Sequence, residues 1–315
     1  MATTSPAAFA ADAPKAAVKK TVVKDLILKG DAKCTECHDE ADSPDLLSIS
    51  RTRHGVTADS RTPTCTKCHG ESDSHVGYKG SGKPPTTDVS FGKKSTNTAQ
   101  QQAGSCLSCH DGDNKRTHWE GSKHQIEGVS CTSCHQVHVQ KDKVMAKTTQ
   151  SDVCFSCHKT ERAESKKVSA HPLSKIGCSG CHNTHGSAGT KMVKKNTVNE
   201  TCFTCHAEKR GPFLFEHQPV TEDCGTCHSP HGSNLAPLLK ARPNFLCQEC
   251  HNEIHQAKTP FGGGKSGGFQ GGLTVFSPLN NTAAAPGVGN LGAQCLNCHS
   301  VIHGSNSPSG MWFHR

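Results

Sequence analysis

Every cysteine of this 315-residue chain belongs to a Cys-x-x-Cys-His motif, and the motif occurs ten times. Two thiols at this spacing can add to the two vinyl groups of one haem, and the adjoining imidazole can bind its iron. The predicted attachment cysteines are Cys34, Cys37, Cys65, Cys68, Cys106, Cys109, Cys131, Cys134, Cys154, Cys157, Cys178, Cys181, Cys202, Cys205, Cys224, Cys227, Cys247, Cys250, Cys295 and Cys298. The predicted proximal ligands are His38, His69, His110, His135, His158, His182, His206, His228, His251 and His299.

Other chemistries use paired cysteines, but none of them explains the histidine. Redox dithiols and zinc ribbons contain Cys-x-x-Cys, and disulfide frameworks contain many cysteines. Histidine makes up 22 of the 315 residues, so its presence after all ten cysteine pairs is not a chance outcome. The sequence therefore predicts ten c-type haems as cofactors and no zinc or disulfide framework.

The remaining histidines are numerous enough to supply a second axial ligand for every iron. Only four methionines are present, so histidine at both axial positions is predicted throughout. Three of these histidines lie seven residues before a motif cysteine, three follow a motif histidine by three residues, two follow by four, and two bracket the second motif. The predicted distal ligands are His54, His75, His124, His138, His171, His185, His217, His231, His255 and His303. His118 and His314 fit none of these patterns.

Histidines three residues apart cannot serve the same iron. His135 and His138 lie about one helical turn apart and point the same way, whereas axial ligands approach an iron from opposite faces. We therefore predict that His138 binds a different haem from His135, and that His185 and His231 likewise bind haems other than those of the motifs they follow.

The composition predicts a fold built around cofactors. The chain is 32% hydrophobic and 4% aromatic, which is too little for an ordinary side-chain core. The porphyrins are expected to form the core, and folding is expected to be coupled to their attachment. The fold class predicted is a multihaem cytochrome c, mostly coil with short helices and with little or no strand.

A two-haem unit recurs along the middle of the chain. It consists of a leading histidine, a motif, a trailing histidine three residues later and a second motif, and it spans 124–158, 171–206 and 217–251. Such a period predicts a linear array, so residues 31–315 are assigned to one elongated decahaem domain. Residues 1–30 are predicted to be an N-terminal tail in which 8–10, Ala-Phe-Ala, resembles the end of a signal peptide. The Gly-rich segment 262–292 is predicted to be a long loop.

Charge and hydropathy limit the partners and the compartment. The formal charge is +8, but ten haems would add about twenty propionate charges, so no nucleic-acid partner is predicted. No stretch of about twenty apolar residues is present, so no transmembrane helix is predicted. Because haem is attached to such motifs outside the cytoplasm, we expect a periplasmic location in a Gram-negative cell.

Several longer runs resemble one known family, the decahaem MtrA/DmsE-type cytochromes, which include the PioA and MtoA proteins of iron-oxidising bacteria. The resemblance covers roughly residues 30–315 and departs from the family in 262–292. The runs are CHQVH (134–138), AHPL (170–173), CHNTHGS (181–187), CFTCHAEKRGP (202–212), CHSPHGS (227–233) and CLNCHSVIHGSNSPSG (295–310).

The resemblance implies a function and a set of partners. In that family all ten haems are bis-histidine, and the cytochrome sits inside an outer-membrane β-barrel porin. It carries electrons between periplasmic or inner-membrane cytochromes and the cell exterior, where an extracellular multihaem cytochrome can be a further partner. We therefore expect electron transfer across the outer membrane, with no catalytic residues, serving either metal reduction or Fe(II) oxidation.

Two alternative functions are considered. A periplasmic electron shuttle or charge store would have the same haems without a barrel partner. A multihaem nitrite or hydroxylamine reductase would need a five-coordinate haem, and the supply of histidine argues against an open site.

Overall fold

The computed structural model describes residues 31–39, 41–56, 58–251, 269–270, 273–274, 295–308 and 310–313. The predicted tail 1–30, His255, His314 and most of the segment 262–292 lie outside these ranges.

The chain consists of short helices joined by coil, as the composition predicts. The α-helices are α1 Ala32–Thr35, α2 Pro44–Leu47, α3 Cys65–His69, α4 Asp73–Val76, α5 Ala99–His110, α6 Lys123–Ile126, α7 Lys147–Cys154, α8 Lys159–Glu164, α9 Leu173–Ile176, α10 Val198–Phe203, α11 Gln218–Glu222, α12 Pro243–Gln248 and α13 Cys295–Cys298. Single 3₁₀ turns cover Ser48–Arg51, Arg53–Gly55, Cys131–Ser133, Lys143–Met145, Cys178–Gly180, Thr190–Met192, Ala207–Lys209, Cys224–Thr226 and Gly310–Trp312. Strand in the described ranges is limited to β1 Phe269–Gln270 and β2 Leu273–Thr274, paired antiparallel with Phe269 opposite Thr274. The fold-class prediction of coil, short helices and little strand is confirmed.

Local capping begins several of these helices, but it cannot stabilise them alone. Thr98 and Gln101 form a capping box at the start of α5, and the hydroxyls of Thr64 and Thr197 cap α3 and α10. Helices of four to eight residues are unstable in isolation, so these depend on what they pack against. None of the helices in the described ranges is both long and apolar enough to cross a membrane.

The chain divides into two compact units. The described part of the first unit is 31–85 together with Val137–Gln140, and the second unit contains Thr86–Gln136 and the described residues from Lys141 onwards. In the first unit, the Ser48 hydroxyl donates to the carbonyl of His138, and the Nδ1 of His138 lies 2.7 Å from the carbonyl oxygen of Leu46. The assignment of 31–315 to one domain stays a prediction.

Apolar side chains contribute little to the interior. Among the described residues the buried apolar side chains are Ala103, Val193 and Leu239. Buried polar residues outnumber them; they are Asp31, Ser72, Gln102, Ser122, Ser130, Asn199, Ser233 and Ser305. Hydrogen bonds of buried polar groups therefore hold the polypeptide around the motifs.

Candidate haem sites

The ten motifs pack in five consecutive pairs. In each pair the thiol of the first cysteine of the odd-numbered motif is in hydrogen-bond contact with its counterpart in the following motif. The pairs are Cys34 with Cys65, Cys106 with Cys131, Cys154 with Cys178, Cys202 with Cys224, and Cys247 with Cys295. All twenty cysteines lie in the described ranges, and each has a free thiol. The thiols are thus available in the Cys-x-x-Cys arrangement that haem attachment requires.

A side chain just before each odd-numbered motif ties it to the next motif. We call these five side chains the clamp residues. Each is an Asp, Asn or Gln whose side-chain oxygen accepts a hydrogen bond from the start of the following motif. The bonds are Cys65 N to Asp31 (2.7 Å), Thr132 Oγ1 to Gln102 (3.4 Å), Ser179 N to Gln150 (2.8 Å), Cys224 N to Asn199 (2.6 Å) and Cys295 N to Asn244 (3.2 Å).

Sequence reasoning missed the clamp residues. Their signal is a carboxylate or amide side chain three or four residues before the first cysteine of motifs 1, 3, 5, 7 and 9. The amide of Asn199 also donates to the carbonyls of Val220 and Thr221, so this one side chain makes three hydrogen bonds. The clamps fix the relative positions of the two motifs within each pair.

Sixteen of the predicted axial histidines form eight pairs of neighbouring imidazole rings, with interplanar angles from 9° to 72°. In each pair one ring belongs to a motif and the other to a predicted distal ligand. The ring centres are 6.0–6.4 Å apart: His38 with His75, His69 with His138, His135 with His185, His158 with His124, His182 with His231, His206 with His171, His228 with His303, and His251 with His217.

This separation fits an iron atom between the two rings. A metal–imidazole bond is about 2.0 Å and the ring centre lies roughly 1.1 Å behind the nitrogen, so two axial imidazoles have centres about 6.2 Å apart. Two imidazoles in direct stacking contact would have ring centres closer together than this. Imidazoles hydrogen-bonded to each other would not show the same centre-to-centre distance in every pair. In the described part of the chain no cluster of three or more His, Cys, Asp or Glu side chains could hold a metal ion, so the donors occur as pairs.

The identity of the partners follows the two-haem repeat. Each leading histidine lies opposite the second motif histidine of its own repeat, as His171 does with His206. Each trailing histidine instead lies opposite a motif histidine earlier in the chain, as His231 does with His182. His138 lies opposite His69 and not His135, which is the arrangement expected from their same-face spacing.

Comparison with known proteins places the chain among multihaem cytochromes. A family model described as a doubled CXXCH motif matches residues 171–211 and 217–256, and one described as cytochrome c-type protein NrfB-like matches 65–149. The cytochrome c-type protein NrfB of Haemophilus influenzae is 29% identical over 184 residues, which cover 51% of this chain and 81% of that protein. The multiheme cytochrome MtrA of Shewanella baltica is 43% identical over 291 residues, which cover 91% of this chain and 82% of that protein. The chain belongs to the MtrA family. It is a multihaem c-type cytochrome, an electron carrier and not an enzyme.

In this MtrA-family chain, backbone carbonyls orient six of the paired imidazoles and the motif histidine His299. In seven cases the Nδ1 lies 2.5–3.0 Å from a carbonyl oxygen: His75 with Pro85, His124 with Thr184, His138 with Leu46, His171 with Pro230, His182 with Lys191, His228 with Pro237 and His299 with Trp312. A carbonyl can only accept, so Nδ1 carries the proton and Nε2 is left as the metal-binding nitrogen. The tautomer needed for iron ligation is thereby fixed.

Other ligand histidines have different groups near Nδ1; that of His38, for example, lies 3.2 Å from the Ser43 hydroxyl. The Nδ1 of His135 lies 2.7 Å from a carboxylate oxygen of Asp142. The Nδ1 of His110 lies 3.2 Å from the guanidinium of Arg116. The Nδ1 of His217 is buried without a hydrogen-bond partner among the described residues. Burial lowers the pKa of His217, and the backbone of Ile302 opposes that shift without completing a hydrogen bond.

Burial also keeps several of the paired imidazoles in the neutral form. It lowers the pKa of His182, His185 and His303 from the ordinary value, because an apolar surrounding disfavours the imidazolium. The neutral ring is the form that binds a metal.

A glycine follows His185 and His231, the trailing histidines of the second and third repeats, for a steric reason. At Gly232 φ is +152°, and a Cβ atom there would come 2.0 Å from the carbonyl oxygen of Glu164. The next residue, Ser233, exchanges backbone hydrogen bonds with Ser169, two residues before the leading ligand His171. The glycine thus lets the trailing-ligand loop approach the leading-ligand segment closely.

The other predicted ligands are placed as follows. His54, His110 and His299 are described and have hydrogen bonds of their own; the backbone amide of His54, for example, donates to the Thr52 hydroxyl. His255 lies outside the described residues. His118, which fitted no spacing pattern, is exposed.

Proposed function

We propose that this chain holds ten c-type haems, each with two histidine ligands, and conducts electrons across the outer membrane inside a β-barrel partner. The observation that carries the proposal is the recurrence of eight imidazole pairs at 6.0–6.4 Å between ring centres. In the proposal His54 and His255 complete the set of ten distal ligands.

Each group of side chains has a separate role in holding the haems. The cysteines tether each haem, the paired imidazoles bind from opposite faces, and the carbonyls at Nδ1 set the orientation of the rings. The clamp residues hold consecutive motifs together, and so set the spacing of the cofactors. When bound, the haems supply reversible one-electron exchange. Because histidine takes both axial positions, the chain offers no open position for a substrate.

The proposed partners are an outer-membrane porin, a periplasmic or inner-membrane cytochrome on one side and an extracellular multihaem cytochrome on the other. Support comes from membership of the MtrA family and from the motif runs that resemble its barrel-inserted decahaem members. A barrel would shield a polar chain over the ~30 Å of hydrocarbon. We place the protein at the periplasmic side of, and within, the outer membrane of a Gram-negative cell.

Haem content and ligation are tested first. Intact-mass measurement of the purified protein should give ten covalent haems. Replacing His231 with Ala should convert one haem of the ten to a high-spin, carbon-monoxide-binding form, because His231 faces His182 across the proposed iron. His118→Ala is the control and should bind no carbon monoxide. Fewer than ten haems, or equal behaviour of the two variants, would contradict the proposal.

The membrane location is tested separately. A tagged chain should co-purify from detergent-solubilised outer membranes with a porin, and the complex in liposomes should pass electrons from an external reductant to an enclosed acceptor. Release of the chain with the periplasmic fraction, with no porin bound, would instead identify a periplasmic shuttle.

A further inference from the structure

The Nδ1 atom of His135 is hydrogen-bonded to a carboxylate, whereas the Nδ1 atoms of many other ligands bond to backbone carbonyls. His135 Nδ1 lies 2.7 Å from the Oδ2 atom of Asp142, whose side chain is only 17% exposed. The ring of His135 faces that of His185 at 6.1 Å, almost parallel to it. A largely buried carboxylate therefore lies directly behind one of the proposed axial ligands.

The backbone and the neighbouring helix hold Asp142 in place. Its Oδ1 atom accepts from the amide of Val144 at 3.3 Å and so caps the turn Lys143–Met145. The carbonyl of Val144 in turn accepts from the side chain of Gln150, one of the clamp residues, at 2.9 Å. The carboxylate thus belongs to the same bonded frame that ties the fifth motif to the sixth, and it is not a freely rotating surface group.

Other carboxylates approach ligand imidazoles, but less closely. Glu161, Glu164 and Glu208 lie 3.7 Å from the Nδ1 atoms of His158, His231 and His206, and their side chains are 39%, 31% and 61% exposed. At that distance no hydrogen bond forms, and water screens the charge. Asp142 is both closer and better buried than these three.

A carboxylate acceptor changes the ligand electronically as well as sterically. A hydrogen bond from Nδ1 to an anion draws the proton away and makes the imidazole a stronger electron donor than a carbonyl acceptor does. Stronger donation, together with a nearby negative charge, favours the ferric over the ferrous state. Low exposure preserves the effect, since screening by solvent is weak at such a site.

We propose that Asp142 is a positioning residue that lowers the reduction potential of the haem bound by His135 and His185 below the potentials of the haems whose ligands bond to backbone carbonyls. The inference rests on the proposed bis-histidine ligation. It adds that the reduction potential of each haem depends on which group accepts the hydrogen bond from the Nδ1 atom of its histidine ligand.

The test compares holoprotein variants by optically monitored redox titration. In Asp142→Asn the amide oxygen can still accept from Nδ1, but the charge is gone, so the midpoint of one haem in ten should rise. Asp142→Glu restores the carboxylate and should return that midpoint toward the wild-type value. Glu161→Gln is the matched control, which removes one charge at a neighbouring ligand without a hydrogen bond, and its titration curve should superimpose on that of the wild type.

Two results would overturn the inference. One is an unchanged titration curve in Asp142→Asn; the other is an equal rise in the Asn and Glu variants, which would show that packing and not charge sets the potential. The haem count and the low-spin signal of each variant are recorded in parallel. An Asp142→Asn protein that has ten low-spin haems and no shift in midpoint contradicts only the role of Asp142. Wild-type protein with fewer than ten low-spin haems contradicts the proposed function itself.

Discussion

The clamp residue Asn199 offers the sharpest test of how the motif pairs are held. It is 5% exposed, its Oδ1 accepts from Cys224 N at 2.6 Å, and its Nδ2 donates to the carbonyls of Val220 and Thr221 at 2.9 and 3.0 Å. Asn199→Ala removes all three hydrogen bonds at once. At about 0.5–1.5 kcal/mol each, the loss is about 1.5–4.5 kcal/mol of local stability.

The effect is measured locally, because proteins with tightly bound cofactors do not unfold in a simple two-state transition. Hydrogen exchange reports the free energy of local opening directly, and each 1.4 kcal/mol corresponds to about a tenfold change. Amides in the segment 218–228, which contains α11 and the eighth motif, should therefore exchange roughly ten- to a thousand-fold faster in Asn199→Ala. Peptides around the fifth and sixth motifs, which Gln150 joins, should be unaffected.

Asn114→Ala is the control, because Asn114 is an exposed turn residue away from every clamp. Surface changes of this kind alter stability by less than about 0.5 kcal/mol. If 218–228 keeps its protection in Asn199→Ala, or if Asn114→Ala weakens that segment equally, the clamp has no energetic role and the motif pairs are held by other contacts.

Two further predictions concern the elements around the ligands. Thr98→Ala removes the capping box of α5 and should destabilise that helix by about 0.5–2 kcal/mol, seen as faster exchange in 99–110, whereas Thr98→Ser should stay close to wild type. Gly232→Ala would bring a methyl group into the Glu164 carbonyl and displace His231, so a high-spin haem signal should appear. Gly82→Ala, at a positive φ but with open space around the Cβ position, should retain ten low-spin haems; a low-spin Gly232→Ala protein would show that the close approach is dispensable.

The residues of the candidate site could be identified from the sequence, whereas much of their pairing in the structure could not. Counting histidines and methionines indicates bis-histidine ligation, and the three-residue spacing of His135 and His138 excludes a shared iron. The actual partners lie far along the chain, as with His228 and His303, and no local pattern specifies such distances. Pairing at long range is set by how the repeats pack, which a single sequence does not display.

Single polar side chains were equally hard to interpret. Asp142 stands between two lysines and looks like a solvated charge, yet its side chain is largely buried against His135. Asn199 and Gln150 look like ordinary helix residues because their role depends on a partner motif more than twenty residues later. The composition did predict the scarcity of apolar core and strand, since those follow from the inventory of residues and not from their contacts.

The backward pairing of the trailing histidines has a consequence for biogenesis. In the proposed ligation, the haem of His135 takes its second ligand from His185, fifty positions downstream, and the haem of His182 takes its second ligand from His231, forty-nine positions downstream. A haem attached early would then lack its second ligand until the following segment is delivered. Maturation is then directional, because each newly delivered segment supplies the second axial ligand for a haem in the segment before it. For the same reason, deleting one segment during evolution would remove the second axial ligand of a haem in the preceding segment. Chains of this type are therefore expected to lengthen or shorten only when the contacts between neighbouring repeats are rebuilt.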